Sequence, residues 1–290
     1  MRTAISERQH RLGHELKKLR EQAGLSAGEA AERINMGRGQ LSHVEAGRTS
    51  IVSDRLRDLC AALGCESVPY VDALVAMSEA TGKGWWSAYK GNVGSAAMNL
   101  AELEAGATVL RSHESLFIPG LLQTEEYMRA IFANPQLGVS DMDEAAAFRL
   151  ERQSVLTSEN PPEFHGVIHE AALHMRFGGA SVLRGQLLHL VEVARLPNVT
   201  IQVVPFEADV DAALSGAFLH SITPVHRLST VVLDHPSGPV YLRDDEHLAL
   251  YGSMFDRLTE CALAPITGRT HATLAAKDSL ALIQHLLYTL

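Results

Sequence analysis

Residues 24–48 read GLSAGEAAERINMGRGQLSHVEAGR, and their spacing decides how the head of the chain folds. Ser26 is a favourable helix N-cap with Glu29 three residues on, the spacing of a reciprocal capping box. Ala30, Ala31 and Ile34 supply the small or apolar inward face of a short helix. Asn35-Met36-Gly37 breaks it, because Asn and Gly tolerate the left-handed backbone of a tight turn. A second helix is predicted from about Arg38 to Ala46, stopped at Gly47, where a glycine is favoured just past a helix end. On it Leu41 and Val44 face inward, which leaves Arg38, Gln40, Ser42 and His43 on the outer face. The stretch is predicted to be a helix-turn-helix.

The outer face carries the side chains a reader of base edges needs. Arg donates twice to guanine O6 and N7, Gln pairs with adenine N6 and N7, and Ser and His donate or accept. Arg48, just past the helix, is placed for a phosphate. A small helical pair with a merely solvated polar face has the same spacing and remains the alternative. Upstream, a helix from about Arg11 to Ala23 carries Leu12, Leu16, Leu19 and Ala23 at helical spacing, with Lys17, Lys18 and Arg20 among them; Lys17 and Lys18 are further phosphate candidates. Downstream, Ser53 is predicted to cap a helix with Leu56, Leu59, Cys60 and Leu63 inward, and another apolar helix spans about 69–80.

Residues 11–64 resemble the XRE-type, lambda-repressor-like DNA-binding domain. The family pattern stands here as Gly24, Leu25, Ser26, Ala31-Glu32-Arg33 and Val44-Glu45-Ala46-Gly47-Arg48. Two positions depart from it: Ala27 replaces a common Gln, and Gly37 stands where a hydroxyl residue is usual. The resemblance also implies a structural ion pair between Arg20 and Glu45.

A chain of 290 residues is too long for this unit alone and suits it plus one larger domain. The net charge of −9 argues against a nucleic-acid partner until the chain is divided: residues 1–66 hold 11 Lys and Arg against 9 Asp and Glu, the remainder 14 against 25. A weakly cationic head on an acidic body is expected to bind duplex weakly without specificity and with steep salt dependence. No apolar run suggests a signal peptide or a membrane span, so a cytoplasmic protein is expected, with Cys60, Cys65 and Cys261 as free thiols.

The expected domains are 1–66, a connection at 67–95, and 96–290. The connection holds Trp85 and Trp86, the only tryptophans; Trp is amphipathic and enriched at contact surfaces, so both are interface candidates beside an ordinary packing role. Beyond them, helices are expected at 96–105, 124–133, 141–157, 178–196, 244–263 and 270–288. EFHGVIH (163–169) and VTIQVVPF (199–206) read as strands, and GAFLHSIT, STVVLDH and GPVYLR as three more joined by turns. The order implies an α+β domain with a small, mainly antiparallel sheet. The last helix, with Leu280, Ile283, Leu287 and Leu290 near one face, is either core or a dimer contact.

FIPGLLQTEEYMRA, HEAALHMRFGG, PNVTIQVVPF and SGAFLHSI, with the Trp pair, resemble the C-terminal domain of WhiJ-like, antitoxin-like actinobacterial regulators, although Leu233 and Asp234-His235 replace residues usual there. The resemblance implies a transcriptional regulator, commonly with a small partner protein. Two function classes therefore lead, a regulator whose second domain dimerises or receives a signal, and an antitoxin-like module that sequesters a partner and binds DNA for autoregulation; an enzyme tethered to DNA ranks third. Metal binding is not expected from His165, His169, Glu170 and His174, because HEAALH lacks the i, i+4 histidine spacing that points two ligands one way. No cofactor and no catalytic constellation is expected.

Overall fold

The computed structural model describes residues 5–80, 82–135, 138–209, 216–235, 237–266 and 278–290. The chain divides into two compact units, Met1–Lys90 with Gly94–Leu103, and Gly91–Val93 with Glu104–Leu290.

The first unit is helical: α1 (Glu7–Gln22), α2 (Ala27–Arg33), α3 (Arg38–Glu45), α4 (Ser53–Ala62), α5 (Val68–Glu79), a 3-10 turn (Trp85–Tyr89) and the larger part of α6 (Ser95–Ala105). α1 starts one turn earlier than its apolar periodicity suggests, because Ser6 and Gln9 form a reciprocal capping box upstream of the first leucine. Ser53 is a correction of the opposite kind. Val52 occupies the cap position, and the Ser53 hydroxyl donates to Glu79 on α5 instead. Leu16 of α1, Leu41 of α3, Leu56 and Leu59 of α4 and Leu74 of α5 are fully buried and form the core. Two polar groups enter it paired: Glu15 meets Arg11 at 3.2 Å and accepts a hydrogen bond from the Tyr70 hydroxyl.

The second unit is built on a six-stranded sheet in the order β3-β2-β1-β4-β5-β6, from β1 (Val109–Glu114), β2 (Glu163–His169), β3 (Val199–Val204), β4 (Phe218–Ile222), β5 (Thr230–Leu233) and β6 (Val240–Leu242). The sheet is mixed. β1, β2 and β3 run parallel, while β4, β5 and β6 join by antiparallel pairing. The central strand, β1, was not expected. Its sequence VLRSHE is polar at most positions, yet a central place buries Ser112 and His113, and His113 Nδ1 lies 3.0 Å from the Val167 carbonyl.

Helices cover both sheet faces. Leu110, Phe164, Ile168 and Ile201 pack under α7 (Glu125–Phe132), α10 (Ala180–Val193) and α12 (Ser279–Thr289), while Val167, Phe218 and Val231 pack under α11 (Asp245–Cys261). The leucine stripe of the last helix is core. Leu280 and Ile283 are buried in it, and Leu287 and Leu290 pack against it, which removes the stripe as a dimer contact; the part of that expected helix before Asp278 lies outside the described residues. The free β3 edge is covered by the chain at Ile266, which exchanges backbone hydrogen bonds with Ile201 at 3.1 and 2.8 Å. α8 (Met142–Gln153), packed against α7, and the short α9 (Glu170–His174), packed against β2 and α10, complete the unit, and Arg152 of α8 pairs at 3.0 Å with the buried Glu104. Among the described residues, no helix is long and apolar enough to cross a membrane.

Candidate nucleic-acid interface

α2 begins at a complete capping box: Ser26 N–H donates to Glu29 Oε2 at 2.8 Å, and Glu29 N–H donates to Ser26 Oγ at 3.2 Å. The Ser26 hydrogen bonds hold the Glu29 carboxyl below its usual range. The turn into α3 passes through Asn35 at φ 50°, the left-handed conformation that the Asn-Met-Gly break requires. α3 then buries Leu41 and Val44 and turns Arg38, Gln40, Ser42 and His43 outward. Among the described residues, no hydrogen bond or ion pair engages any of those four side chains, so each is available to a partner.

What fixes the aim of α3 is its C-terminal end. Arg20 of α1 meets Glu45 with two parallel bonds, Nε–Oε1 at 2.6 Å and Nη2–Oε2 at 3.0 Å, and donates a third to the Leu25 carbonyl at 2.8 Å. The Glu45 hydrogen bond raises the Arg20 guanidinium above its usual range against the opposing effect of burial. Bidentate geometry adds direction as well as energy, so the pair orients α3 on α1.

A second constraint was not read from the sequence. Gly13 lies so close to the end of α3 that a Cβ there would come within 2.4 Å of the Glu45 carbonyl oxygen and 2.7 Å of that of Val44. Gly47, at φ +68°, abuts the Gln9 backbone in the same way, a Cβ falling 3.0 Å from its carbonyl. The signal was present: a glycine inside an otherwise favourable helix, RLGHELKKLR, costs about 0.5–1 kcal/mol and marks a close approach.

The remaining candidates lie at the rim. Arg48 is exposed; Lys17 is exposed and 3.8 Å from Glu21; Lys18 is half-buried. Trp85 and Trp86 form an edge-to-face pair at 5.8 Å, and Trp85 packs likewise on Tyr89 at 6.1 Å. The Trp86 ring folds back over Gly84, where a Cβ would fall 2.3 Å from it, so both rings are half-buried within their own turn. Of the histidines at 165, 169 and 174, His165 Nε2 meets Gln202 Oε1 at 2.7 Å, whereas His169 caps α9 and His174 lies 3.4 Å from Glu170, both of the latter rings packing on Phe206.

Residues 11–74 match the model of a helix-turn-helix domain, the unit that places a helix in a DNA groove. Residues 97–274, more than half the chain, match the model described as a domain of unknown function, DUF5753. Comparison with curated proteins returns no match. Among solved structures, the clp gene regulator ClgR from C. glutamicum is 33% identical, with 27% of this chain and 99% of that one covered and a TM-score of 0.23.

Proposed function

We propose that this chain, which belongs to the DUF5753 family, is a sequence-specific DNA-binding transcriptional regulator whose second unit dimerises, receives a signal, or does both. One observation carries the reading. α3 presents four unengaged polar side chains on a helix whose opposite face is buried and whose end is locked by Arg20 and Glu45. Arg38, Gln40, Ser42 and His43 read bases; Arg48, Lys17 and Lys18 hold phosphates. The head belongs to the XRE type and the tail to the WhiJ-like class, on the motif residues quoted above. The protein acts in the cytoplasm, without cofactor and without catalysis.

Dimerisation follows from the size of the interface. One recognition helix offers too few base contacts for a unique genomic site, and two heads one duplex turn apart restore specificity. Trp85 and Trp86 are the proposed contact. Selection of bound duplexes from a random library by the full chain tests the reading: a two-fold symmetric motif is expected, and recovery without any enriched sequence refutes it. An antitoxin-like role predicts in addition a small protein that copurifies in stoichiometric amount from the native host.

A further inference from the structure

We infer that Asn99 and Glu102 of α6, remote in sequence from the helix-turn-helix, are positioning residues for DNA reading by α3. The inference rests on the DNA-binding reading above. Asn99 Oδ1 accepts from the Glu7 N–H at 3.2 Å, satisfying one of the orphan donors in the first turn of α1. One turn further along α6, Glu102 Oε1 accepts from Arg8 Nε at 2.8 Å, and the same guanidinium donates to the Met77 carbonyl at the end of α5. Both side chains of the Arg8–Glu102 pair are largely buried, at 16% and 17% exposure, well below a solvated surface pair. Gly82, at φ +67°, closes the turn after α5 around them: a Cβ there would lie 3.3 Å from Arg8 Nη2 and 4.0 Å from Glu102 Oε1.

These contacts hold the first turn of α1, and that turn is where α3 is seated. Gln9, next to Arg8, is the residue whose backbone abuts Gly47, and Gly13, one turn on, abuts the Glu45 and Val44 carbonyls. Backbone against backbone leaves no flexible side chain to absorb a shift. Releasing the start of α1 therefore moves the end of α3, and with it Arg38, Gln40, Ser42 and His43. α6 is also the helix within which the chain passes from the first unit into the second, at Leu103 and Glu104.

The test uses full-length Glu102→Ala, Glu102→Gln and Asn99→Ala, titrated well below their melting transitions against the duplex enriched by the wild-type chain and against a scrambled one. Glu102→Ala is expected to bind the enriched duplex roughly tenfold more weakly, with little change on the scrambled one, because misaimed base contacts are lost while phosphate contacts persist. Glu102→Gln, whose amide oxygen still accepts from Arg8, should fall between Glu102→Ala and wild type, and Asn99→Ala should lose selectivity in the same sense. Variants that melt earlier yet bind both duplexes as wild type does would reduce α6 to a structural prop and overturn the inference. A wild-type chain that enriches no duplex overturns the underlying reading and this inference with it.

Discussion

Gly13→Ala sets two effects of opposite sign against each other. Helix propensity favours alanine in the interior of α1 by about 0.5–1 kcal/mol. Packing opposes it: the new Cβ would stand 2.4 Å from the Glu45 carbonyl oxygen and 2.8 Å from its carbon, where ordinary contact begins near 3.4 Å. The end of α3 must then retreat from α1 by about 1 Å, and forcing a methyl into a tight site costs about 1–3 kcal/mol. Net destabilisation of about 1–2 kcal/mol is expected, a Tm drop on the order of 4–8 °C per kcal/mol for a unit of this size. The same retreat exceeds the roughly 0.5 Å window of a good hydrogen bond. Selective DNA binding should therefore fall by about one bidentate base contact, roughly 10- to 100-fold. Calorimetry and fluorescence anisotropy on the full chain measure both. A variant that melts a few degrees higher and binds as wild type does would show propensity acting alone, and the backbone contact between α1 and α3 would not exist in solution.

Glu45→Ala leaves the Arg20 guanidinium, 12% exposed, with the Leu25 carbonyl and a distant Glu21; by the usual cost of breaking a buried pair it should destabilise the first unit by about 3 kcal/mol, and a double-mutant cycle with Arg20→Ala should show strong coupling. An unchanged melting curve would place the pair on the surface. Arg48→Ala should weaken matched and scrambled duplexes alike and lower the salt slope by about 1, and a loss confined to the matched duplex would move Arg48 among the base readers. His220, 1% exposed and with neither ring nitrogen hydrogen-bonded among the described residues, is pushed down to about 4 by burial, with Arg111 and His226 adding to the effect. The unfolded chain then binds the proton more readily than the folded one, so the stability tied to a neutral His220 is full above about pH 6.5 and is lost progressively as pH falls towards 4. Urea unfolding of wild type and His220→Phe at pH 7 and pH 5 checks this; an equal loss of stability in both proteins contradicts it.

Local signals reached the helix-turn-helix because its determinants are local. The Ser26–Glu29 box, the Asn35 turn and the Leu41–Val44 spacing each lie within a few residues of what they control. Strands β2 and β3 were visible for the same reason, β2 through the weak alternation of EFHGVIH and β3 through the β-branched run VTIQVV. β1 was not, since Arg111, Ser112, His113 and Glu114 read as surface and only the pairing of β1 with β2 and β4 buries it. That missing strand also hid the parallel half of the sheet. Within the candidate interface, sequence spacing supplied the outward face of α3 but not the contacts that aim it. Gly13 against Glu45 and Arg8 against Glu102 join residues distant in the chain, and only the folded unit brings them together.

The central claim is that the outer face of α3 reads base sequence, and the ratio of affinities for the enriched and scrambled duplexes tests it most directly. At physiological salt the wild-type chain should discriminate by roughly 10³ or more, and the Arg38→Ala/Gln40→Ala double variant should fall to within about tenfold while keeping its salt-dependent affinity for both. Equal binding of the two duplexes by the wild-type chain, or full discrimination by the double variant, would contradict the account.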